Sequence, residues 1–187
     1  MRIALRRIAE RCFPAHFQEF DRRLSAVIGD HCASLLDVGC GFESPVRRLP
    51  RRPVRLVGVD GFAPALEQSR ALGIHDEYHH MGLLDIGKAF RPKSFECVVA
   101  LDVIEHLTPE DGLRLLGQME LLATRQVIVF TPNGFLEQAE HYGNPLQKHL
   151  SGWAVAQMKD LGYEVTGIGG LSFLKGEIGR IRWHPRA

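Results

Sequence analysis

The chain has 187 residues, of which 45% are hydrophobic and 24% charged. That fits one globular domain able to bury a core without disulfides or metals, and it excludes collagen, coiled coil and wholesale disorder. Its 23 basic and 22 acidic residues give a net charge of +1, so there is no strong signal for nucleic acid. No stretch approaches the roughly 18 apolar residues of a transmembrane span.

Cys12, Cys32, Cys40 and Cys97 form no CxxC pair. They read as reduced thiols, which leads to the expectation of a cytoplasmic protein. The N-terminus has the basic start of a signal peptide, but Arg6, Arg7, Glu10 and Arg11 interrupt the apolar run that would follow, so secretion is not expected. Arg2, Arg6, Arg7 and Arg11 form one basic cluster; Arg47, Arg48, Arg51, Arg52 and Arg55 form another. Each reads either as a solvated surface or as a contact for an anionic partner such as a phosphate or a membrane surface.

Apolar residues recur at helical spacing from residue 2 to about 30, through Ile8, Cys12, Phe13, Phe17, Phe20, Leu24, Val27 and Ile28. Pro14 is expected to split this stretch into two helices. Residues 1–33 are read as an N-terminal helical lid or edge segment, and 34–187 as the core. Ser34–Val38, Arg55–Asp60, Phe95–Leu101 and Gln126–Phe130 read as strands, with a shorter one near Glu77–Met81. Helices are expected at 63–72 and 109–122. A helix from Ser151 to about Leu161, with Ser151 as its N-cap, precedes a strand at Tyr163–Ile168, and Gly179–Trp183 is the candidate for a last strand. The strands are continuous apolar runs alternating with helices. That pattern predicts a single-domain α/β fold, a Rossmann-like doubly wound sheet of six or seven mostly parallel strands. The longest irregular stretch, about Thr131 to Leu150, is of a length usually found at functional loops.

The first strand runs into Gly39-Cys40-Gly41, beside Asp37, and a helix is expected after the turn. Glycines there allow a tight turn and close approach of backbone to ligand. Asp60 follows Gly41 by 19 residues and ends the second strand, where a carboxylate can accept hydrogen bonds from ribose hydroxyls. A dinucleotide pyrophosphate wants N–H groups and positive charge at such a turn. This turn carries Asp37 and Glu43, and Ser44 stands where a third glycine belongs. S-adenosylmethionine has no phosphate, but a sulfonium and an amino group, and acidic residues suit it. An NAD-dependent oxidoreductase is disfavoured on both counts.

LLDVGCGFESP resembles the first motif of class I S-adenosylmethionine-dependent methyltransferases. LVGVDG, GLLDIG, FECVVALDVIEHL and VIVFTPNG resemble that family's later motifs, and the chain looks most like its small, stand-alone type 11 members. The resemblance implies S-adenosyl-L-methionine as cofactor, held through Asp37, Gly39, Cys40, Gly41, Asp60, Gly61, Asp85 and Leu101. The change at Glu43-Ser44-Pro45 is expected to alter the shape near the methionine tail.

Methyl transfer is an in-line displacement that depends chiefly on proximity and alignment, so no universal catalytic residue is expected. Asp102 reads as a contact to donor or acceptor, or as a cap of the next turn. His106 and His149 are candidate bases, and a structural histidine is the alternative for His106. His141 and Tyr142 are candidate acceptor contacts in the loop after the fifth strand. Trp153 reads as a pocket wall or as the anchor of its helix. His75, His79 and His80 make a metal site conceivable, but the chemistry requires none, and none is expected. Thr131-Pro132-Asn133-Gly134 lacks the Asn-Pro-Pro-Tyr element of amino-methylating enzymes. The partner expected is a small-molecule acceptor, with a weak membrane or anionic contact possible through the basic N-terminus. The alternatives are a non-catalytic cofactor-binding protein acting through a partner and, further back, an RNA or protein methyltransferase.

Overall fold

A computed structural model of the chain describes residues 14–140, 143–168 and 178–183. The expected helix before Pro14, Cys12 and the basic cluster at Arg2–Arg11 lie outside these residues, as do His141 and Tyr142. The elements are α1 (Pro14–Ile28), β1 (Ser34–Val38), β2 (Arg55–Asp60), α2 (Ala63–Ala71), β3 (Glu77–His80), α3 (Ile86–Ala89), β4 (Phe95–Leu101), α4 (Pro109–Leu122), β5 (Ala123–Pro132), α5 (Val155–Asp160), β6 (Glu164–Ile168) and β7 (Ile178–Trp183).

The strands form one sheet in the order β3-β2-β1-β4-β5-β7-β6. β1 to β5 pair in parallel. β7 lies antiparallel between β5 and β6, so it alone reverses direction. The chain builds outward from β1 to β3, then returns to place β4 on the other side of β1. In sheets of this kind, ligands bind at that reversal, outside the carboxyl ends of the strands.

Alternation along the strands sends side chains to two apolar faces. Leu36, Val57, Val98 and Val127 pack with Leu115, Leu116, Met119 and Leu122 of α4. Leu35, Leu56, Cys97 and Ile128 pack with Phe20, Leu24 and Ile28, spaced four apart on α1. Each fully buried side chain of this kind contributes about 1.5–3 kcal/mol. α4 starts at Pro109, whose missing N–H costs nothing there, and the Thr108 hydroxyl accepts from Asp111 N–H at 3.2 Å.

Three local expectations are corrected. No α-helix follows the glycine turn. Pro45–Arg48 forms one short 3-10 turn capped by Ser44, and Pro50 and Pro53 block its extension. Ser151 does not cap α5, which starts at Val155. Its hydroxyl instead donates to Ile104 C=O at 3.1 Å and accepts from the Trp153 indole at 2.9 Å. β5 begins at Ala123, earlier than expected: Ala123 pairs with Phe95, and exposed Thr124 and Arg125 fall in the register shift before Gln126 pairs with Cys97, so no apolar run marks the start.

Candidate functional site

A cavity of about 1020 Å³ opens at the carboxyl ends of β1, β2 and β4. Its wall contains Asp37, Gly39, Cys40, Gly41, Asp60, Gly61, Asp85, Leu101, Asp102 and His106, ten of the residues singled out in the sequence. Gln18 and Asp21 of α1 and Asn144, Leu146 and Gln147 of the loop after β5 also line it.

The turn after β1 is held from the neighbouring strand. Gly39 and Cys40 N–H groups both donate to Val59 C=O, at 2.8 and 3.0 Å. Gly39 has φ +70°, and a Cβ there would stand 2.6 Å from Val103 Cγ2, so only glycine fits. Asp60 Oδ2 accepts from Gly41 N–H and Oδ1 from Phe62 N–H, both at 2.8 Å. One carboxylate on the cavity wall thus ties the β1 turn to the β2 turn. Burial raises the Asp60 pKa above the usual carboxylate range, and the two N–H groups work against that. Burial, with the charges of Asp37 and Asp60, pushes the Cys40 thiol well up, so it is not a nucleophile.

Asp37 is supported from beneath. His75 Nε2 lies 2.9 Å from its Oδ2, and Ser69 Oγ lies 3.3 Å from His75 Nδ1. This fits the tautomer with the proton on Nε2, the Ser69 hydroxyl donating to Nδ1. A Cβ on Gly58 would meet the His75 ring at 2.9 Å, so the imidazole crosses β2 where no side chain intervenes. His79 faces Glu77 and Phe90 instead, and His80 Nε2 lies 3.1 Å from Gly61 C=O. The three histidines of this segment therefore point to three places. Asp85 pairs with Lys88 at 2.7 Å.

Asp102 follows β4 with φ +57° and its N–H on Phe130 C=O at 2.8 Å. The 3-10 turn Ile104–His106 has Val103, not Asp102, at its cap. Glu105 is 2% exposed and accepts from the Thr131 hydroxyl at 2.9 Å. Burial and the Asp102 charge push it up to about 8. His106 donates from Nδ1 to Lys148 C=O at 3.2 Å, and burial lowers its pKa. His149 does not border the cavity. It stands behind His106, ring centres 4.8 Å apart, and donates from Nδ1 to Leu136 C=O at 2.6 Å.

Trp153 is not a pocket wall. It is 2% exposed in the core, its indole donating to Ile104 C=O and Ser151 Oγ, and it bridges to Asn133 and Gly134. Glu105, Thr131 and Ser69 make contacts at the site that short-range sequence patterns do not show. The only cue to Glu105 is its place beside His106.

The basic cluster 47–55 is largely paired. Arg47 meets Glu43 at 3.2 Å, Arg48 grips Asp21 with two hydrogen bonds, Arg52 meets Asp76 and Arg55 meets Glu77.

Residues 36–124 match the family model described as a methyltransferase domain. The methyltransferase domain of bacterial CtHen1 superposes with a TM-score of 0.63 at 21% identity, covering 88% of this chain and 96% of that one. A SAM-dependent methyltransferase from Archaeoglobus fulgidus gives 0.63 at 17% identity, covering 94% and 97%. Magnesium protoporphyrin IX methyltransferase from Synechocystis, with bound SAH, gives 0.63 at 15%, covering 94% and 87%. At such identities these likenesses show the fold. No curated protein sequence matches the chain. Residues 36–124 are thus similar to a methyltransferase domain, and the whole described chain shares the fold of S-adenosylmethionine-dependent methyltransferases. No helix of the described residues is long and apolar enough to cross a membrane.

Proposed function

We propose that this chain is an S-adenosylmethionine-dependent methyltransferase that acts on a small-molecule acceptor, and that the cavity at the strand reversal holds donor and acceptor side by side. The observation that carries this reading is the cavity itself. At about 1020 Å³ it stands at the upper end of the roughly 300–1,000 Å³ of small-molecule sites. When bound, S-adenosylmethionine supplies an electrophilic methyl group on a sulfonium. Asp37, Gly39, Gly41 and Asp60 would hold it. The donor set fits: carboxylates stand where a cation would bind, and the glycine turn leaves a cradle that a Cβ on Gly39 would close. A four-residue 3-10 turn gives no α-helix N-terminus for a pyrophosphate.

Asp102 and His106 lie on the same wall beyond Leu101, at the acceptor end. α1 serves as a fixed edge segment: Phe20, Leu24 and Ile28 anchor it to the sheet while Gln18 and Asp21 reach the cavity. Four arginines of the basic cluster are neutralised by carboxylates, which favours a small acceptor over a polyanion.

Calorimetry with S-adenosylhomocysteine, with NAD alongside, tests the donor site. Labelled methyl transfer from S-adenosylmethionine to a panel of small hydroxyl and amine acceptors, against structured RNA, tests the acceptor. Transfer to RNA alone overturns the small-molecule reading.

A further inference from the structure

Glu105, His106 and His149 come together from the turn after β4 and the loop after β5. One ligand atom from each lies within 4.8 Å of the others. On one ion with bonds of ~2.1 Å, neighbouring ligand atoms stand about 3–3.4 Å apart, so side-chain adjustments on the order of an ångström bring the three together. The histidines are already oriented for it. Each gives its Nδ1–H to a backbone carbonyl, His106 to Lys148 and His149 to Leu136. That leaves the lone pair on Nε2, the arrangement that typifies metal-ligating histidines. The buried Glu105 carboxyl has partners, the Thr131 hydroxyl and the N–H groups of Val103 and Glu105, but none is cationic. Asp102 adds a second acid at the same end of the cavity.

We propose that Glu105, His106 and His149 bind one divalent first-row transition ion at the edge of the cavity. Two imidazoles favour zinc, manganese, iron or cobalt over magnesium and calcium, which prefer oxygen alone. Three protein ligands leave coordination positions open, and His106 is on the cavity wall, so those positions would take an oxygen of the acceptor. That last role rests on the methyltransferase reading; the ion site does not.

The test is titration of chelator-treated protein with Co2+, read by its visible absorption. One equivalent is expected to bind. His106→Asn and His149→Asn keep a donor near the Nδ1 position but lose Nε2, and each is expected to weaken binding by about a hundredfold or more. His79→Asn, outside the cluster, is expected to bind as wild type does. If either variant fails to fold, NMR of the wild-type protein replaces it: Mn2+ should broaden the Nε2 resonances of His106 and His149 ahead of the other histidines. Absence of a one-equivalent spectrum, or a spectrum unchanged in both folded variants, overturns the site. S-adenosylhomocysteine calorimetry on the same samples separates the two readings. Homocysteine-adduct binding without the ion sinks the metal site alone, and the ion without that binding sinks the cofactor site alone.

Discussion

The Nε2 of His75 lies 2.9 Å from Oδ2 of Asp37, although 38 residues separate them. Their side chains are 0% and 2% exposed, so neither has water as a substitute partner. His75→Leu therefore strands a buried carboxylate. It is expected to destabilise the fold by about 3 kcal/mol, lowering Tm by several degrees. Adding Asp37→Asn to His75→Leu should cost less than the sum of the two single changes. Additive melting shifts would show that the pair does not interact.

Asp60→Ala removes the acceptor for two loop N–H groups as well as the expected ribose contact. Affinity for S-adenosylhomocysteine should fall by about 1–3 kcal/mol, with a drop in Tm from the freed Gly41 and Phe62 amides. Calorimetry reads the first and thermal melting the second. Unchanged affinity would place the ribose elsewhere.

Gly39→Ala meets two obstacles, a positive φ and Val103 Cγ2 at 2.6 Å. We expect a loss of about 2 kcal/mol in stability together with weakened cofactor binding. Val103→Ala in the same chain should recover part of both, because it removes the clash and leaves only the backbone strain. Equal defects in the single and double variants would assign the whole effect to φ.

Trp153→Phe deletes the indole donor while keeping much of the ring packing. A buried Ile104 carbonyl and the Ser151 hydroxyl lose a partner, at a cost of about 1–3 kcal/mol. S-adenosylhomocysteine should bind as before, since Trp153 does not border the cavity. A selective loss of binding with an unchanged Tm would return this residue to the acceptor pocket.

The parallel strands were legible because continuous apolar runs ending at Val38, Asp60 and Leu101 reflect burial on both faces of a sheet. Asp60 and the Gly39–Gly41 turn were legible because a tight turn and a strand-end carboxylate leave local marks. His75 left no such mark: its role depends on crossing β2 at Gly58, a contact set by strand order. The helix that fails to follow the glycine turn was signalled by Pro50 and Pro53, which outweigh the general pattern of strand, turn and helix. Ser151 has the chemistry of a cap, but burial beside Trp153 gives its hydroxyl stronger claims. His106 and His149 were legible as candidates, whereas their shared contact with Glu105 emerges only when the loop after β5 folds back.

The position of β7 bears on how the molecule is made. It fills the gap between β5 and β6, so the ribosome releases both flanking strands before the one that joins them. Until residues 178–183 emerge, Val127–Phe130 presents an open apolar edge, the kind of surface on which nascent chains pair with one another. Truncation of the chain ahead of residue 178 is therefore a hazard of aggregation, even though every wall residue of the cavity precedes that point.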